Sequence, residues 1–160
     1  MAKVYHQAIA IRTGLILTSR KPYEYVPKAV MENENYRLYW DTLMETDRPV
    51  AHNRPDIVIF DKVKKETNII DVTVPADDNI SRAYTEKITK YEDLAFELKK
   101  IYNLRKVYII PLIITTNGLV ETHLGENTAL LGLDQDIIST AQKEVVLWTT
   151  RIVRKFLVNG

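Results

Sequence analysis

Two acids and one amine near the middle of the chain carry the chemistry that its residue types allow. Asp56 heads an apolar run (Arg54, Pro55, Asp56, then Ile57, Val58, Ile59, Phe60), and Asp71 interrupts a second one (Ile69, Ile70, Asp71, Val72, Thr73, Val74). A carboxylate buried without a partner is costly, so an acid inside such a run calls for a reason, and a divalent cation supplies one. Carboxylates that hold a cation, with a further positive group near the attacked phosphate, are what phosphodiester hydrolysis needs. The cation activates water and polarises the phosphate; the extra charge stabilises the transition state. A common arrangement has Pro-Asp at one strand start, then an acid on the next strand with a lysine two residues beyond it, on the same face. Here the position two beyond Asp71 is Thr73, so the amine has to come from elsewhere.

The following helix offers it. At about 100° per residue, Lys87 projects near Ile80, Tyr84 and Tyr91, the side that faces the sheet, while Lys90 points further round toward solvent or a backbone phosphate. A lysine on a buried stripe needs a partner, and the two acids qualify, so Lys87 is favoured over Lys90 as the catalytic amine. Tyr91, one turn on, either orients the lysine, touches nucleic acid, or is a plain core aromatic. A third acidic ligand is open among Glu32, Glu34, Asp41 and Glu45, with Asp41, beside Trp40, preferred.

The elements that must position these groups follow from the patterning. Both apolar runs are rich in β-branched residues and too short for helices, which is how buried strands read. The charged link 61–68 reads as their hairpin loop. Residues 36–45 alternate as a strand, so 36–45, 56–61 and 67–74 form a three-strand meander. Pro75 ends it; Asp77, Asp78 or Asn79 caps a helix reaching about residue 102, with Ile80, Tyr84, Ile88, Tyr91, Ala95, Leu98 and Tyr102 as its apolar stripe. Residues 106–115 form another strand, in which Pro111 points to a bulge or an edge, reached by a crossover connection. A first helix over 2–13 ends at Gly14. Residues 15–27 connect, and a last helix over about 135–157 places Ile138, Ala141, Val145, Trp148, Ile152 and Phe156 on one face. The class is α/β (α+β), a mixed sheet flanked by helices in the order α-β-β-β-α-β-α. One domain spans 1–160, with an N-terminal helix and connector over 1–30 and the core over 31–157.

Composition narrows the rest. Lys and Arg number 22 against 21 acids, so a nucleic-acid contact has to come from a local patch and not from a basic arm. With no cysteine, disulfides, thiolate zinc sites and a cysteine nucleophile are excluded, and a reducing intracellular compartment is permitted. No apolar run is long enough for a membrane span, and no signal-peptide pattern opens the chain. His6, His52 and His123 share no ligand or triad spacing. Neither a serine elbow nor a glycine-rich phosphate loop is present.

The blocks Trp40-Asp41, Arg54-Pro55-Asp56-Ile57-Val58, Ile70-Asp71-Val72-Thr73-Val74-Pro75 and Glu86-Lys87-Ile88-Thr89-Lys90-Tyr91 together resemble the restriction-like endonuclease domain of non-LTR retrotransposon polyproteins, a branch of the PD-(D/E)XK nucleases. The resemblance spans most of the chain, from about residue 31 through the last helix. It implies a restriction-endonuclease-like core and a Mg²⁺- or Mn²⁺-dependent nick in double-stranded target DNA that primes reverse transcription. It also implies a nuclear location. By the same resemblance Asp56 and Asp71 match the metal-binding acids, Lys87 (or Lys90) the lysine displaced from strand to helix, Tyr91 the tyrosine after it, and Arg54 the basic residue before Pro-Asp. The family's domain follows a zinc knuckle and a reverse transcriptase. This chain carries neither, which reads as an excised, truncated or domesticated copy. Lys62, Lys64, Lys65, Lys90 and Arg82 are candidates to position the DNA backbone. Two rivals stand beside the enzyme: an inactive nucleic-acid-binding module on the same fold, and a homodimerising module that uses Trp148, Ile152 and Phe156.

Overall fold

The computed structural model describes residues 1–76 and 79–159, the side chains of Val158 and Asn159 excepted. Five strands, β1 (Val30–Glu32), β2 (Tyr36–Trp40), β3 (Ile57–Asp61), β4 (Glu66–Thr73) and β5 (Lys106–Ile113), form one sheet in the order β1-β2-β3-β4-β5. The first four are antiparallel neighbours and β5 joins β4 in parallel. The parallel step needs a crossover, and α2 (Ile80–Lys90) and α3 (Glu92–Ile101) make it. Three further helices, α1 (Ala2–Arg12), α4 (Leu124–Leu130) and α5 (Asp136–Asn159), complete this mixed α+β architecture. No described helix is long and apolar enough to cross a membrane.

Alternation along the strands separates two apolar layers. Leu38, Ile57, Ile59, Ile70, Ile110 and Leu112 meet Tyr5 and Ile9 of α1, Leu124 of α4, and Ala141 and Val145 of α5. Val58, Phe60 and Ile69 point the other way, against Tyr91, Leu94 and Leu98. Burying each such side chain contributes roughly 1.5–3 kcal/mol, so both layers pin the strand register against a one-residue slip, which would turn every side chain to the wrong face.

Several boundaries differ from the sequence expectation, each for a local reason. The strand expected over 36–45 stops at Trp40, because Asp41 takes a left-handed backbone (φ 45°). A short strand, β1, precedes it. The single helix expected to residue 102 is two, broken where Tyr91 leaves helical geometry (φ −104°, ψ 6°). Its stripe splits there: no α2 residue is fully buried, Leu94 joins Tyr91 and Leu98 in the core, and Tyr102 is exposed. A seven-residue helix, α4, occupies the loop before α5. Asn79 is the N-cap of α2, whereas Asp77 and Asp78 lie outside the described residues. Pro111 sits in the edge strand β5, where a missing N–H is tolerated. Past Val145 the α5 stripe is not core: Trp148, Ile152 and Phe156 are all exposed.

Candidate active site

Register brings the two acids together. Ile57 pairs with Ile70 at the end of the β3–β4 ladder, and Asp56, in the bend before β3, and Asp71 each stand one residue beyond that pair. Asp71 shares the face of Ile69, the face covered by α3 and by Tyr91, while Asp56 lines a cleft with Val72 and Val74. The main chain fixes this corner. Asp41 N–H donates to the Asp56 carbonyl at 2.8 Å, and Val72 N–H donates to Asp56 Oδ2 at 2.8 Å.

The crossover helices supply what faces the acids. Lys87 Nζ lies 2.9 Å from Asp71 Oδ2. One turn on, at the break between α2 and α3, the Tyr91 hydroxyl donates to Asp71 Oδ1 at 2.8 Å. Thr73, at the place where a strand lysine would stand, donates its hydroxyl to Asp71 Oδ2 at 3.2 Å. That bond shows the i, i+2 face at work. Asp71 is 5% exposed and Tyr91 2%, so these contacts lie largely out of water, where each is electrostatically stronger.

The titration of Asp56 records its surroundings. Burial raises its pKa above the ordinary carboxylate value, and the Asp71 charge raises it further; the Val72 N–H and the Lys87 ammonium pull it down without cancelling the rise. Tyr91 is pushed far up, first by burial and then by the Asp71 charge, so its hydroxyl keeps its proton and acts as a donor.

The donor set can be tested against a cation. A carboxylate offers about four lone-pair positions. Asp71 has three occupied, by Tyr91, Lys87 and Thr73, while among the described residues Asp56 has one, by Val72. Open acceptor capacity thus remains, mostly on Asp56. No group of three or more acids or histidines that could hold a metal forms among the described residues. Two carboxylates, Asp56 with most of its acceptor positions open, suit Mg²⁺, which is typically held by one or two carboxylates and completed by water and substrate phosphate. They do not suit a closed structural zinc site.

The remaining candidates lie around this centre. Asp41 is near enough to contribute to the raised pKa of Asp56, but its carboxylate is engaged by Arg54 (Nε to Oδ1 3.0 Å). Arg54 is thereby held at the rim. Lys90 rests over the Tyr91 ring, 5.2 Å from its centroid, apart from the acids. Glu32 pairs with Lys62 and Arg37 at the far end of the sheet. His6 is a core residue: it is fully buried, bonded to the Tyr25 hydroxyl at 2.7 Å and edge-on to Trp40. Burial pushes its pKa down to about 4, leaving it neutral.

Two features carry no motif spacing in the sequence. His123, unplaced by spacing, has Nδ1 2.7 Å from the buried Glu121 and stacks on Tyr84 at 4.2 Å; the i, i+2 pairing of Glu121 and His123 is the signal that could have found it. Asp56 also borders a cleft of about 570 Å³ on the α1 and α5 side of the sheet end, walled in part by Lys3 and Arg151. No protein-family model matches the chain, and no curated protein resembles it at a significant level.

Proposed function

We propose that this chain is a divalent-metal-dependent DNA endonuclease domain with a restriction-endonuclease-like core, and that it nicks double-stranded DNA. The observation that carries the reading is the meeting of Asp56, just before β3, Asp71 of β4 and Lys87 of α2 at one end of the sheet. The block resemblance to retrotransposon nuclease domains supports the same activity and extends it to priming of reverse transcription, alongside reverse transcriptase and zinc-knuckle domains of a parent polyprotein.

Asp56 and Asp71 would hold the ion. When bound, Mg²⁺ or Mn²⁺ supplies a water of lowered pKa and neutralises charge on the phosphate. Asp56, with its raised pKa and mostly open oxygens, is the acid that gains most from a neighbouring dication. Lys87 is the protein's own positive charge at the centre. Its place against Asp71 positions it to stabilise the extra negative charge of the attacked phosphorus without reorganisation. Tyr91 is a positioning residue: its protonated hydroxyl fixes Asp71 Oδ1 and leaves Oδ2 to Lys87 and Thr73. Arg54, tied to Asp41 at the rim, stands where a backbone phosphate would arrive and replace the carboxylate as its partner.

Nicking of supercoiled plasmid tests the proposal. Wild type is expected to nick in Mg²⁺ and not in chelator, Asp71→Ala and Lys87→Ala to lose at least a hundredfold, and Lys90→Ala to keep most of the rate. Equal activity of wild type and Asp71→Ala would refute it. A second reading, a self-associating module without catalysis, is favoured by the exposed Trp148, Ile152 and Phe156; it requires a mass that rises with concentration and no metal-dependent nicking.

A further inference from the structure

Asp71 faces Tyr91 and Lys87, while Asp56, at the end of the sheet, borders the cleft on the opposite side. The walls of that cleft include Tyr23 from the connector after α1, Lys3 from the first turn of α1, and Glu144, Trp148 and Arg151 from α5. Tyr23 and Trp148 are among the exposed large side chains, 66% and 59% accessible. The composition of these walls is specific in kind. Among aliphatic walls, two exposed aromatic rings, one of them (Tyr23) with the Lys21 amine 5.8 Å from its centroid, stand with two cations, Lys3 and Arg151, and the one wall acid besides Asp56 is Glu144. An apolar ligand would not need the cations, and a paired duplex could not use the rings, because its bases are already stacked on each other. A single strand presents both a phosphate for the cations and a free π-face for an aromatic. The volume, about 570 Å³, falls within the usual range for small-ligand clefts of roughly 300–1,000 Å³.

We infer that this cleft holds an unpaired nucleotide next to the cleaved position, its base stacked on Trp148 or Tyr23 and its phosphate met by Lys3 and Arg151. The preferred substrate is then DNA with a locally opened strand, such as a bubble or flap, and a fully paired duplex is second best. This rests on the nuclease reading for what happens at Asp56, but the binding step stands apart from it and is measured without cleavage.

The experiment is fluorescence anisotropy in Ca²⁺, with matched labelled duplexes that differ only in a short central bubble, and with single-stranded and paired competitors. Wild type is expected to bind the bubble about tenfold or more tighter than the duplex. Trp148→Ala and Tyr23→Ala together should abolish that difference, and Trp148→Phe should keep most of it. Lys3→Ala with Arg151→Ala is expected to weaken both DNAs and to lower the salt slope by about two. Circular dichroism checks folding, which exposed positions leave intact. Equal affinity for bubble and duplex in wild type overturns the inference. So does an unchanged preference in the aromatic double variant, or sedimentation showing Trp148 covered by a second copy. Asp71→Asn separates the two claims: with the bubble preference retained and nicking lost, both stand. If that variant nicks like wild type while the preference persists, the cleft stands and the nuclease assignment falls.

Discussion

Replacing Lys87 by methionine removes the amine and keeps most of the volume of its stem. In the wild-type site Nζ is 2.9 Å from Asp71 Oδ2, with the Asp71 side chain 7% exposed and that of Lys87 24%. At an effective dielectric near 20 the gross attraction at this spacing is about 6 kcal/mol, and desolvation of the two groups returns a large part of it. Removing one partner of a fully buried pair costs roughly 3–5 kcal/mol. Here the lysine is partly exposed, so water reaches the vacated place, and Tyr91 and Thr73 still donate to Asp71. The expected loss at pH 8 without divalent ions is about 2–3 kcal/mol, read from urea denaturation of wild type, Lys87→Met, Asp71→Asn and the double variant. The two single losses should couple by about 2 kcal/mol, because each variant deletes the same pair. Two carboxylates are then left facing each other without a protein cation. Mg²⁺ should accordingly bind Lys87→Met more tightly than wild type and restore more of its stability. At ten times its dissociation constant a bound ion adds about 1.4 kcal/mol. A loss below about 0.5 kcal/mol, the range of ordinary surface substitutions, with no coupling to Asp71→Asn, would refute the reasoning.

Three further outcomes follow from the same geometry. Because the pKa of Asp56 is raised in the folded state, the fold holds this proton to higher pH than the unfolded chain. The stability it contributes is present below the unfolded value of 3.8 and is lost as pH rises through the folded one. Metal-free Asp56→Asn should therefore be more stable than wild type at pH 7–8, by on the order of 1 kcal/mol, with the gap closing in acid; denaturant midpoints across pH check this. Tyr91→Phe deletes a buried bond to a charged acceptor and should cost roughly 1.5–3 kcal/mol in urea denaturation, with slower nicking but an intact Mg²⁺ requirement. Arg54→Ala breaks an exposed pair and should change stability by less than about 1 kcal/mol, while weakening DNA binding and lowering the salt slope by about one.

How far the sequence reached can be followed residue by residue. Asp56 and Asp71 can be set at the same end of a sheet because each heads or interrupts an apolar run that reads as a buried strand, and the Ile57–Ile70 pair leaves both acids one residue beyond it. Lys87 could be set toward them because helical phase is accurate over the single turn that separates it from Tyr84 and Tyr91. The helix break at Tyr91 was not legible: its neighbours Lys90, Glu92 and Asp93 carry no glycine or proline signal. What sets it is tertiary, since Tyr91 is both buried and bonded to Asp71. β1 is three residues long, too short for periodicity to register. The stripe through Trp148, Ile152 and Phe156 continues the core stripe of α5 in sequence because its spacing is regular. Spacing does not say where the packing beneath a helix stops, and these three side chains are exposed. The cleft beside Asp56 was out of reach for a related reason, because Lys3, Tyr23 and Arg151 are brought together only by packing of distant segments.

The claim under everything else is that Asp56 and Asp71 hold one divalent ion between them. Electron paramagnetic resonance of Mn²⁺ titrated into the DNA-free protein measures that directly. Wild type is expected to take up the ion, Asp56→Asn and Asp71→Asn each to weaken uptake at least tenfold, and Arg54→Ala to leave it unchanged. Uptake that is the same in all four proteins would contradict it.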